Sequence, residues 1–268
     1  MASAAISTSS FSAAAPREMA AAAPDIHPYE VLIEVVRRLL DGARHVAVGA
    51  NSPIPAAAAF LAQRLSPDRP IVSLQQSPDH NLFTDGGREL FDSAAQGRID
   101  AFFFSGAQID GSGNINLNVI GDYAHPKARF PGAYGSAFLY FMVPRIILFR
   151  LEHSRRTLVE KVDFVSAPGT SPSNVFRRGG PVELVTPLCH FTFDKARARF
   201  QLESIHPGHS VEEVLDETAF DFERPAEVPT TPPPSPEILA LLRNTVAPEL
   251  AVLYPKFAET VFGIPLRA

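Results

Sequence analysis

Two adjacent carboxamides, Gln75 and Gln76, follow the apolar run Ile71–Leu74 in the stretch IVSLQQSPDH. The run reads as a short buried strand and the polar residues as the turn at its carboxyl end, where α/β proteins place reactive groups. A carboxylate there would be able to attack a carbonyl carbon. A carboxamide is neutral and resonance-stabilised, so its chemistry is confined to donating and accepting hydrogen bonds. Of the carboxylates that follow, Asp79 behind Pro78 and Asp85 in TDGG read as turn residues, and Glu89 opens a helix whose dipole suits its charge. His80 is the nearest side chain able to exchange a proton near neutral pH.

A second concentration of polar chemistry is GAQIDGSGNINLNVIGDYAHPKARFPGAYGSA, residues 106–137. Gly106, Gly111, Gly113 and Gly121 can supply turns with positive φ, and Asn114, Asn116 and Asn118 can bond either loop backbone or a polar ligand. A loop of this kind after a buried parallel strand is a binding-site candidate by position, and a structural loop whose asparagines satisfy backbone groups is the alternative. His125 stands beside Asp122, and Lys127 and Arg129 suit an anionic group, a partner surface or plain solvent. Asp110 and Asp122 read as residues that hold the loop's geometry. The eight histidines show no metal-ligand spacing.

The elements that must position these groups begin with PYEVLIEVVRRLLDG. Its apolar residues at 31, 32, 35, 36, 39 and 40 mark an amphipathic helix, with Pro28 at its start and Gly42 just past its end. Strand 45–48, a helix in PAAAAFLAQRL, the strand leading to Gln75, a short helix in ELFDSAAQG and the apolar run DAFFFSG follow in turn. This alternation predicts an α/β fold: an open, mostly parallel sheet with helices on both faces. Beyond the loop, RIILFRL, TLVEKVDFVS, VELVTP, CHFTFD and RFQLESI read as closely spaced strands. SVEEVLDET reads as a helix with a capping box between Ser210 and Glu213, residues 223–236 as a Pro-rich strap across the surface, and PEILALLRNTV as a last helix capped by Ser235. The Ala/Ser-rich residues 1–26 read as a disordered leader, and residues 27–268 as one domain.

With 268 residues and an apolar fraction of 46%, the chain can bury a real core. A net charge of −5 without any Lys/Arg run argues against nucleic-acid binding, and no stretch has the ~20 apolar residues of a membrane helix. Cys189 is the sole cysteine, in an apolar stretch, which reads as a buried inert thiol in a reducing cytoplasm.

The loop sequence resembles the G-x-x-Q-x-D-x-x-G-N-x-N segment and following Pro-Gly-rich loop of the β subunits of family I coenzyme A transferases, of the glutaconate and 3-oxoacid type. TLVEKVDFVSAPG resembles the family's next segment, and LESIHPGHSVEEVLDETAF with PPPSPEILALLRN resembles its C-terminal end. The resemblance, over residues 28 to 250, implies the CoA-transferase fold and a partner α subunit of similar fold in an α2β2 assembly. It implies an acyl-CoA thioester and a small carboxylic acid as substrates, and no bound cofactor. In such enzymes a β-subunit glutamate in a Glu-x-Gly turn at a strand end attacks the thioester and becomes a glutamyl-CoA intermediate. The Gly-rich loop lines the acyl site and presents N–H groups to the oxyanion.

Two departures from that pattern matter. The Glu-x-Gly turn falls on Gln75, Gln76 and Ser77, and a slip of one residue would exchange Gln75 for Gln76 without restoring a carboxylate. In PGAYGSA, Tyr134 stands where the family has glycine and is expected to fill part of the acyl space; Leu139 and Tyr140 replace a polar residue just beyond. The expected site comprises Gln75 at the nucleophile position, with Asn114, Asn116, Gly132, Tyr134, Gly135 and Ser136 as substrate, CoA and oxyanion contacts. A β subunit of a hydrolase-type or atypical CoA-transferase member accommodates these departures, as in the related steroid-ring-degrading CoA hydrolases, which lack the usual nucleophile. A conventional transferase with a displaced nucleophile and a non-catalytic scaffold subunit are the alternatives.

Overall fold

The computed structural model describes residues 26–75 and 77–266. Nearly all of the expected leader, and Gln76, lie outside the described residues. Helix α1 (Pro28–Arg38) forms where the apolar spacing placed it, and the side chain that caps it is an imidazole. His27 Nδ1 accepts from Tyr29 N–H at 3.1 Å, while the Glu30 carboxylate accepts from His27 N–H at 2.9 Å. Glu30 is 1% exposed and also holds Arg243 at 2.6 and 2.7 Å, latching the first helix to the last quarter of the chain.

Strand β1 (His45–Val48), the Ala-rich helix α2 (Pro53–Leu65), β2 (Ile71–Leu74), α3 (Gly86–Ala95) and β3 (Ala101–Phe104) follow as the alternation required. Next come the short strands β4 (Gln108–Asp110), β5 (Ile115–Asn116), β6 (Val119–Gly121) and β7 (Pro126–Arg129), then α4 (Ser136–Met142), β8 (Arg145–Phe149) and β9 (Leu158–Val159). The chain continues through β10 (Pro181–Val185), β11 (Cys189–Asp194), β12 (Arg199–Ile205) and α5 (Val211–Glu217). It ends in α6 (Pro236–Leu241), a π-helical turn (Leu242–Val246), α7 (Ala247–Leu253) and α8 (Pro255–Phe262).

The main sheet has seven strands in the order β12-β11-β10-β8-β3-β1-β2. β2, β1, β3, β8 and β10 run parallel, and β11 and β12 add antiparallel. Side chains alternate across it. Val46 and Val48 join a core with α1, α2 and the C-terminal helices, whereas Ala47 and Phe102 join a second core with α3, α4 and α5. The strap closes the open edge of β12: Leu202 N–H donates to Glu223 O, Ile205 N–H to Pro229 O and Thr231 N–H to Ile205 O, at 2.7 to 3.0 Å. Such cover prevents edge-to-edge association.

Three local expectations change. TLVEKVDFVS pairs only at Leu158–Val159, because Asp163 and Ser166 turn their side chains onto the neighbouring loop. Ser210 does cap α5, but the Glu213 carboxylate meets His209 Nδ1 at 2.8 Å instead of closing a capping box. SAFLYFM, unassigned from sequence, is helix α4, and its Tyr140 is a core residue whose hydroxyl donates to Gly113 O at 2.6 Å. Cys189 is buried, and burial pushes its thiol up. Among the described residues no helix is long and apolar enough to cross a membrane.

Buried histidines gather where β10, β11 and β12 meet the strap. His206 Nδ1 lies 2.9 Å from Thr231 Oγ1, and the two ring nitrogens of His153 lie 2.8 and 2.9 Å from the hydroxyls of Thr186 and Thr218. Burial lowers His206 from 6.5 to about 3, helped by His190, His209 and His153; burial with His209 does the same to His153. Above about pH 7 both rings are neutral whether the chain is folded or not, so they add no pH slope. Below the unfolded value of 6.5 the unfolded chain takes up protons first. Stability therefore falls by up to about 1.4 kcal/mol per pH unit for each histidine, until the folded value is reached. Urea titrations at about pH 7.5, 6 and 5 are expected to show a falling midpoint, with a shallower decline in His206→Gln; equal slopes would place the acid sensitivity elsewhere.

Candidate active site

The chain leaves β1 through Gly49–Ser52 into α2 on one face of the sheet, and leaves β3 through Ser105–Ala107 onto the other. With the order β3-β1-β2, the connections diverge at the carboxyl ends of β1 and β3. That is the topological switch point at which open α/β sheets form their binding crevice. Asn51, in a left-handed conformation at φ 54°, and the exposed Ser105 lie on its two sides. No local sequence pattern marks either residue, since only strand order makes them neighbours.

Gln75 is the first residue past β2, and its N–H donates to Val48 O at 3.0 Å, extending the ladder with β1 by one step. Its half-buried carboxamide has no partner among the described residues. The turn behind it is closed on itself: Leu74 N–H donates to His80 O at 3.0 Å, and His80 N–H to Ser77 Oγ at 3.1 Å. His80 itself points to the α2/α7 flank. Its ring lies edge-on to Phe60 at 4.9 Å, with Nε2 3.5 Å from Glu249, which Arg64 holds at 2.6 Å.

The neighbouring carboxylates have other tasks. Glu89 accepts from Thr84 N–H, Thr84 Oγ1 and Asp85 N–H, at 2.6 to 3.2 Å, tying down the start of α3. These bonds, from Asp85 first and then Thr84, hold its carboxyl below the usual range. Asp79 is exposed, and Asp85 faces only Arg88 at 3.6 Å among the described residues.

The Asn-rich loop divides into scaffold and open face. Asp110 accepts from the N–H groups of Ser112 and Asn114 and from Asn114 Nδ2; Asn114 Oδ1 accepts from Gly169 N–H at 3.0 Å. Asn116 is fully buried: Nδ2 donates to Gln108 Oε1 and Val119 O, and Oδ1 accepts from the N–H groups of Asn118 and Val119. The side chains of Asn114 and Asn116, both expected as ligand contacts, are engaged in holding the loop. Asn118 differs. Its Oδ1 takes the Ser166 hydroxyl, while Nδ2 has no partner among the described residues and lies toward Gly132, 3.7 Å from where a Cβ would stand.

Residues 131–135 sit between Asn118 and α3. The N–H groups of Gly132, Ala133, Tyr134 and Gly135 have no partner among the described residues, on a loop that is half-buried to exposed. Ser136 N–H, also expected as an oxyanion contact, donates instead to Ala133 O at 2.8 Å. Tyr134 takes φ 45°, a conformation that costs a non-glycine residue ~1–2 kcal/mol. Its ring does not fill the loop's interior. It folds out onto α3, 5.5 Å from the Phe91 ring. His125, Lys127 and Arg129 belong to the exposed β6–β7 hairpin, where Arg129 lies 4.9 Å above the Tyr123 ring and His125 Nδ1 is 3.6 Å from Asp122.

The Gln75 carboxamide, the free amides of residues 132–135 and Asn118 Nδ2 can each donate a hydrogen bond to a carbonyl oxygen or a water, and a carboxamide at Gln75 supplies no internal nucleophile. Residues 36–217 match the model of the Coenzyme A transferase family, and the chain belongs to that family. Over 153 residues it is 35% identical to one of the subunits of the 3-oxoadipate CoA-transferase of Pseudomonas knackmussii, covering 55% of this chain and 58% of the relative. Over 165 residues it is 30% identical to the cholesterol ring-cleaving hydrolase IpdB subunit of Rhodococcus jostii, covering 60% of this chain and 64% of that one. These alignments thus span less than two thirds of either relative. The crystal structure of the decarboxylase AibA/AibB superposes with a TM-score of 0.71 at 25% identity, over 90% of this chain and 100% of the matched one.

Removing the Asn116 side chain strands the N–H donors of Asn118 and Val119 and takes a donor from Val119 O, while Gln108 Oε1 keeps Asp163 N–H, at about 1–3 kcal/mol for each buried group left unpaired. Asn116→Ala is expected to lower unfolding stability by at least ~2 kcal/mol, and Asn118→Ala by less than half as much. Urea unfolding of the two variants checks the division; equal losses would refute it.

Proposed function

We propose that this chain is the β subunit of an acyl-CoA-processing enzyme, working with an α subunit of similar fold in an α2β2 complex. In this reading Gln75 occupies the family's nucleophile position and excludes a glutamyl-CoA intermediate. The observation that carries it is the carboxamide of Gln75, without a partner among the described residues, at the carboxyl end of β2 next to β1. The thioester oxygen is received by the free amides of residues 132–135 and by Asn118 Nδ2, while Gln75 orients a water. That water adds to the carbonyl carbon, the C–S bond breaks, and one of its protons leaves with CoA as the thiol. The base that takes the first proton comes from the partner α chain. Support comes from relatives named for transfer, ring-cleaving hydrolysis and decarboxylation, a range of reactions on one fold.

The test is to co-express the chain with the α-type subunit encoded beside it, supply acyl-CoA esters, and follow thiol release and CoA exchange separately. Thiol release without an acceptor acid is expected. Exchange into an added carboxylic acid would restore a conventional transferase with its nucleophile elsewhere. Silence in both assays with tight association of the two chains would leave a scaffold subunit.

A further inference from the structure

We propose that Tyr134, with Phe91 and Phe138, forms an aromatic platform that contacts the acyl group of the CoA ester and sets a preference for bulky apolar acyl chains. The inference rests on the CoA-ester reading above. Tyr134 is 86% exposed, a large ring left in solvent on a backbone conformation unfavourable to it. Strain of this kind persists where the surroundings impose it, and it clusters at ligand sites.

The surroundings here are built for the ring. A Cβ at Gly87 would overlap the Tyr134 hydroxyl oxygen, so the tip of the exposed ring rests over a glycine. A Cβ at Gly135 would overlap the tip of Phe91, so a second glycine admits the ring on which Tyr134 leans. Phe91 in turn meets Phe138, itself 41% exposed, edge-on at 5.8 Å.

The platform is covalently continuous with the free loop amides: Tyr134 is flanked by the N–H groups proposed to hold the thioester oxygen. An acyl chain leaving that carbonyl toward α3 passes directly onto the rings. By folding outward, Tyr134 also leaves the inner side of the loop clear, so the residue expected to obstruct the acyl site extends it. Three aromatic rings tilted against one another suit an apolar or ring-bearing acyl group better than a short dicarboxylate.

The test is calorimetric titration of the α/β complex with CoA and with non-hydrolysable analogues of acetyl-CoA and benzoyl-CoA. Native complex is expected to bind the benzoyl-CoA analogue about three- to tenfold more tightly than the acetyl-CoA analogue, the worth of one aromatic contact. Tyr134→Ala should bring that ratio to about one, and Gly87→Ala, which displaces the ring tip, should reduce it. Equal affinities in the native complex, or a ratio unchanged in Tyr134→Ala, overturn the proposal. So does loss of α-subunit association with the ratio intact, which assigns the ring to the interface with that partner. Failure of CoA itself to bind is a distinct result: it removes the CoA-ester reading, and the platform with it.

Discussion

Everything at the candidate site hangs on β1, which is hydrogen-bonded in parallel to β2 on one side and β3 on the other. Because both neighbours run the same way, three loops emerge side by side at one edge. Because the chain moves from β1 to β2 and then back across to β3, those loops part to opposite faces. The crevice is a consequence of strand order before any side chain is considered. The bond from Gln75 N–H to Val48 O then fixes where the β2 loop begins, and with it the height of the carboxamide above the sheet.

The second organising feature is the separation of roles within one polar loop. Asp110, Asn114, Asn116 and Gln108 spend their side-chain hydrogen bonds on one another and on nearby backbone. That internal closure is what allows residues 132–135 to stand with their amides unspent: a loop braced from beneath need not fold back to satisfy its own donors. The same economy governs the far end of the sheet, where threonine hydroxyls take up the buried imidazoles and the strap covers the last strand.

Much of the fold was legible in the sequence because it is written in periodicity. The helix spacing of residues 31–40, the Ala-rich second helix and the bounded apolar runs at 45–48, 71–74 and 101–104 each specify their element locally. SAFLYFM was not legible, since seven apolar and small residues fit a strand as well as two turns of helix, and packing against α3 decides between them. The site was half legible. Position at a strand end picked out Gln75, and glycine content picked out the loop. Which asparagine faces inward depends on partners such as Val119 and Gly169, and the outward turn of Tyr134 depends on Gly87, far earlier in the chain. Neither is encoded in local pattern.

The central claim is that the geometry for a nucleophile is kept at residue 75 while the nucleophile is absent. Its most direct test is the intact mass of the chain after the α/β complex meets an acyl-CoA and is then treated with borohydride, which reduces an enzyme-bound glutamyl thioester to an alcohol. Native chain should keep its mass, and Gln75→Glu should show one carboxyl oxygen exchanged for two hydrogens, mapped to residue 75. A reduced glutamate in native chain, or a Gln75→Glu chain that never reacts, would contradict it.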